Sequence, residues 1–174
     1  MKLAIMAVLG LTFTAAVASA QAVNDAQIAS IVVTANQVDI DAGNLAAATS
    51  SNPQVKSFGE MMVKDHTGVN KTATDLVKRL NVTPQDNPTS QALASGGAMN
   101  LAHLKTLKGA DFDRAYIDHE VAYHQQVLDA LDKTLIPGAK NEELKALLVK
   151  VRPAFVAHLE HAKMIQASLN GKKK

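Results

Sequence analysis

Three histidines stand where a helical chain ordinarily places aliphatic side chains. Within residues 117–135, IDHEVAYHQQVLDALDKTL, the positions Ile117, Val121, His124, Leu128, Leu131 and Leu135 advance by four, three, four, three and four. That rhythm makes one apolar seam on an amphipathic helix, with an imidazole set into it. Glu120 comes one turn before His124, so its carboxylate shares roughly the same face. His66 sits the same way among Val55, Gly59, Met62, Val69, Ala73 and Leu76, and His158 among Leu148, Val151, Phe155, Ala162 and Ile165.

Their depths agree. His66 lies 13 residues past Pro53, His124 13 past Asp111, and His158 11 before Leu169, while Asp39 and Asp41 lie 11 and 9 before Ser50. At about 1.5 Å per residue, these offsets match within about a turn of helix. One seam histidine is ordinarily a core residue bonded to a carbonyl, a carboxylate or a buried water. Burying an imidazole with unpaired nitrogens costs on the order of a few kcal/mol. Three such costs at one height call for a shared task. Neutral imidazoles are common ligands of zinc, copper and iron, and a carboxylate from the fourth helix would complete a set. The candidate metal ligands are therefore His66, His124 and His158, with Asp39 or Asp41 from the first helix and Glu120 ligating or orienting a neighbouring ring. The competing reading is a buried hydrogen-bond network of the same residues in a non-catalytic structural or stress-related envelope protein. An oxidoreductase ranks third, since it needs a redox-active metal with an open coordination position.

Neighbouring side chains have milder readings. Met62 is core filler, although a thioether suits copper. His161, one turn beyond His158, reaches either the site or solvent, and Asp65 stands a quarter turn off the seam. His103 and His119 point elsewhere, and Tyr116 and Tyr123 pack. Val63, Val121 and Phe155, rather than Glu, stand three before the seam histidines, so a Glu-x-x-His di-iron carboxylate centre is not encoded. No Ser-His-Asp set or phosphate loop is present; a haem between two facing seam residues stays open as a reading, with few aromatics to pack it.

The elements that must hold these residues follow from the pattern. Helices are expected over about 23–49, 53–80, 110–135 and 141–169. Asn52 and Pro53 open the second, Asn141 and Glu142-Glu143 the fourth, and Pro153 should kink the fourth. Between the second and third, Pro84 and Pro88 in NVTPQDNPT and then Ser95-Gly96-Gly97 read as breaks, leaving a short helix over about 98–107. Four long helices with short outer links and one long central crossover make an all-α, ferritin-like four-helix bundle.

Residues 1–20 stand apart. A basic start, an apolar run from Leu3 to Val17 and Ala18-Ser19-Ala20 read as a signal peptide cleaved after Ala20. A periplasmic or secreted domain over 21–174 is thus expected, with no transmembrane segment in its mature form. The 174 residues include no cysteine, so no disulfide supports the fold. Losing Lys2 leaves 17 basic against 16 acidic residues, and there is no Trp, which argues against a nucleic-acid surface. A homo-oligomer is compatible with this composition, and no protein or small-molecule partner is specified by it.

The segments SNPQVKSFGEMMVKDHTGVNK, LKGADFDRAYIDHEVAYHQQVLDAL and RPAFVAHLEHAKMI together resemble the exported bacterial family called domain of unknown function 4142. The resemblance runs from about Asp25 to Leu169. It implies a ferritin-like four-helix fold in outer-membrane or periplasmic proteins without an established activity. The family's DH motif matches Asp65-His66, and its FD-x-x-Y matches Phe112-Asp113 and Tyr116. Its later histidines match His124 and His158, and its first-helix acids match Asp39 and Asp41, shorter here than the usual Glu.

Overall fold

The computed structural model describes residues 23–171, so the expected signal peptide and its cleavage point lie outside the described residues. Five helices account for nearly all of it, with no strand among the described residues. Helix α1 spans Asp25–Thr49 and opens on a capping box, in which Asn24 Oδ1 accepts from Gln27 N and Gln27 Oε1 from Asn24 N. Helix α2 spans Pro53–Arg79, with Asn52 accepting from Gln54 N and Pro53 in the first turn. It ends in a left-handed Asn81 (φ 53°), with Val82 N donating to Val77 O and Asn81 N to Lys78 O. That pair of bonds is a Schellman stop, so α2 closes before Pro84 is reached.

The crossover differs from the expected short helix over 98–107. Helix α3 covers Pro88–Lys105, 18 residues that run straight through Ser95-Gly96-Gly97. Pro88 begins it rather than breaking it, because Asn87 caps Thr89 N and Ser90 N. Gly97 is there for space. A Cβ at Gly97 would meet Val38 Cγ2 at 2.7 Å, so only glycine lets α3 lie this close on α1. A second such contact joins α1 to α2, where a Cβ on Gly59 would sit 2.7 Å from Gly43 O.

Helix α4 covers Gly109–Ala130 and continues through a π-helical turn, Leu131–Leu135, into a last turn, Ile136–Gly138. Helix α5 covers Glu142–Gly171, begins on Asn141, which accepts from Glu143 N and Leu144 N, and carries Pro153 at an exposed position inside it. Among the described residues, no helix is long and apolar enough to cross a membrane.

Contacts at the ends fix the course of each helix. Asp25 at the start of α1 accepts from the backbone N–H groups of Lys140 and Asn141, which lead into α5, and Arg79 at the end of α2 pairs with Glu143. At the other end, Ser50 after α1 donates to Asp113 in the first turns of α4. Helices α1 and α5 therefore run one way, and α2 and α4 the other. Helix α3 carries the chain back along the outside of α1.

Two apolar clusters fill the interior. One, with Ile28, Leu76, Leu131, Leu148 and Phe155, lies toward the start of α1. The other, with Phe58, Met62, Phe112, Tyr116 and Ile165, lies toward its end. Asn36 and Asp39 on α1, His66 on α2, and Glu120 and His124 on α4 fall between members of the two clusters, and His158 on α5 sits beside their boundary, so this polar layer occupies the waist of the bundle.

Candidate metal centre

Helices α2, α4 and α5 each deliver one histidine to this waist. The ring centroids lie 5.7 Å (His66–His124), 5.3 Å (His66–His158) and 5.4 Å (His124–His158) apart, close to an equilateral triangle. All three residues are buried, and each offers a donor atom within 4.8 Å of the other two. Phe155 stacks on His66 and shields the group toward one end.

One nitrogen of each ring is already committed. His66 Nδ1 lies 2.7 Å from Asn36 Oδ1, and because Asn36 Nδ2 donates to Val32 O, that oxygen must accept and Nδ1 must carry the proton. His124 Nδ1 donates to the carbonyl of Glu120 at 3.1 Å. His158 Nε2 donates to Asp65 Oδ2 at 3.0 Å. The remaining nitrogens, His66 Nε2, His124 Nε2 and His158 Nδ1, are buried with no hydrogen-bond partner. An acceptor behind each ring fixes its orientation and turns the other nitrogen to the interior, as outer partners do around metal-bound histidine.

The carboxylates come next. Asp39 Oδ2 lies 3.5 Å from His66 Nε2, and Glu120 Oε2 lies 3.4 Å from His124 Nδ1. Glu120 is fully buried and both its oxygens lack hydrogen-bond partners. Asp39, Glu120 and His124 form a second group of donors within 4.8 Å of one another.

Charge is distributed unevenly. Burial, helped by His124 and His158, holds His66 down at about 2. Burial likewise lowers His158, against the opposing pull of Asp65. Burial also opposes a charge on His124, but Glu120 and Asp39 outweigh it and push it up to about 9. Burial and then the neighbouring Glu120 raise Asp39 well above the ordinary carboxylate range. The metal-free centre at neutral pH thus holds two neutral imidazoles and one imidazolium.

The donors suit an ion in kind and in spacing. Three nitrogens no more than 4.8 Å apart share a point within about 2.8 Å of each, against about 2.0–2.1 Å for a zinc–imidazole bond, so ring shifts under about 1 Å would close the set.

Of the residues singled out from sequence, His66, His124, His158, Asp39 and Glu120 come together. Asp41 does not: it is exposed and accepts from Gln37 Nε2 at 2.8 Å. Met62 is packed in the apolar cluster, and His161 meets Phe58 edge-on rather than joining the rings. Asp65 takes a definite place behind His158. Asn36 was missed, although its position three residues before Asp39 marked a polar face on α1. Tyr123 donates to Ala35 O and bonds α4 to α1.

A model described as domain of unknown function (DUF4142) matches residues 12–165, so the chain belongs to that family. No curated protein matches it. Among solved structures, one described as CopM in the Cu(II)-bound form is similar in fold, with a TM-score of 0.65 at 17% identity, covering 84% of this chain and 98% of that chain.

Proposed function

We propose that this member of the DUF4142 family is an exported metal-binding protein that holds one transition-metal ion in its core. His66 Nε2, His124 Nε2 and His158 Nδ1 are the ligands, Asp39 completes the set, and Glu120 offsets the ion's charge from behind His124. The observation that carries this reading is the trio of buried, unpartnered nitrogens whose opposite ring atoms are each held by an acceptor. Each unmet nitrogen costs about 1–3 kcal/mol. A closed hydrogen-bond network would leave no such atoms, whereas an ion satisfies all three at once.

Imidazoles with one carboxylate suit zinc, copper or iron. Copper is the first metal to test, since a protein of similar fold is described in a Cu(II)-bound form. Elemental analysis of tag-free protein beside a His124→Ala variant tests the reading. One ion per chain, lost in the variant, is the expected result; equal trace metal in both contradicts it. Export is tested separately by intact mass of protein from the envelope fraction, where a chain beginning at Gln21 is expected and one retaining Met1 counts against it.

A further inference from the structure

Beside the imidazoles lies a cavity of about 210 Å³. Its walls are largely aliphatic, with Ile31 and Val32 on one side and Leu131, Leu135 and Leu148 on the other. The inner end differs, because Asn36, Asp39 and His66 border it there. The outer end lies between α3 and α4, where Thr89 and Gln126 are exposed and Leu93 and Val127 half-buried. Helix α3 packs along α1 but touches α4 at few points, which leaves this side open.

Two observations mark a built chamber rather than a packing fault. An apolar cavity of about 150 Å³ stays dry and takes up benzene or xenon, so this one has room for a substituted ring. The π-helical turn Leu131–Leu135 supplies two of its wall residues, and such turns recur at functional sites. The lining also limits what can enter. No Lys or Arg among the described residues borders it, so an anion finds no counter-charge, and the aliphatic walls would strip water from any ion.

We infer that this cavity binds one small, uncharged, single-ring molecule of toluene or phenol size, lying against the aliphatic walls with any hydroxyl group toward Asp39 and His66. The inference concerns a ligand other than the ion, and its test reads toluene binding separately from metal binding.

Toluene and phenol are titrated into purified protein, metal-free and metal-loaded, by calorimetry, with benzoate as the charged control. Saturable binding of one toluene per chain in both forms is expected, with benzoate at least tenfold weaker. Ala130→Leu places its added atoms at the chamber wall and should weaken toluene at least tenfold while leaving the metal titration unchanged. Leu93→Ala thins the wall on α3 and should admit naphthalene, which the native protein excludes. Absence of saturable toluene binding, or equal affinity in folded Ala130→Leu, overturns the inference. Should Ala130→Leu fail to fold, an unchanged size limit in Leu93→Ala overturns it instead. Loss of metal binding alone leaves the toluene result intact, so the two ideas fail separately.

Discussion

Metal uptake should be tied to a proton on His124. In the metal-free chain this ring holds its proton up to about 9, whereas His66 falls to about 2 and His158 is also lowered. An incoming ion must displace the His124 proton but none from the other two rings at neutral pH. At pH 7 that displacement spans about two pH units, or about 2.7 kcal/mol, and weakens apparent affinity about 100-fold relative to pH 9 and above. Affinity should therefore climb about tenfold per pH unit from 6.5 to 9 and then level off. Asp39, the fourth ligand, also gives up its proton on ligation wherever it is still protonated, since burial and Glu120 raise its pKa, and the slope steepens there. Calorimetry in buffers of different ionisation enthalpy counts the protons directly, and chelator competition follows the slope. Three ordinary imidazoles would behave oppositely, with a steep slope below about pH 6 and a plateau above 7. A flat response between 6.5 and 9, or no proton released at pH 7.5, refutes the assigned charge pattern.

The other expectations concern support, packing and acid stability. Asp65→Ala and Asn36→Leu remove the acceptors behind His158 and His66 and should each weaken metal binding about 10- to 100-fold, while Asp41→Ala leaves it unchanged. Chelator competition reads all three. Gly59→Ala drives a methyl into the Gly43 carbonyl, so an overpacking cost of about 2–3 kcal/mol exceeds the gain in helix propensity of about 1 kcal/mol, and the urea midpoint should fall. Gly68→Ala has nothing within 4 Å to meet and should raise it. His66 and His158 bind fewer protons folded than unfolded, so their share of stability is lost as pH falls below 6.5. His124 has the opposite sign, its share present below 6.5 and lost as pH rises through about 9. Above pH 7, where His66 and His158 are neutral in both states, urea midpoints of metal-free protein should thus fall as pH rises toward 9, with the raised Asp39 acting in the same direction, and a midpoint that rises over that range would contradict these assignments.

The depth of the histidines was readable because the offsets from Pro53, Asp111 and Leu169 are counted along rigid rods of fixed rise. The choice between Asp39 and Asp41 was readable in principle. Two residues turn a helix by about 200°, so only one can face inward, and Asp39 neighbours the seam residues Ala35 and Ala42. What lay beyond the sequence was whatever depends on how one helix rotates against another. Asn36 and Asp65 acquire their roles only once α1 meets α2 and α2 meets α5. Gly97 shows the same limit: taken alone, Ser95-Gly96-Gly97 weakens a helix, but against Val38 the missing side chain is what allows α3 to dock. The π-helical turn at Leu131–Leu135 left no mark in the seam, which passes through it unbroken.

The central claim is that three imidazole nitrogens from α2, α4 and α5 converge on one ion. Electron paramagnetic resonance of protein loaded with one equivalent of Cu(II) reads it most directly, alongside His66→Ala, His124→Ala and His158→Ala. Three coupled imidazole nitrogens in the native spectrum, reduced in every one of the variants, is the result the account predicts. A native spectrum that all three variants reproduce would place the copper elsewhere on the chain and contradict it.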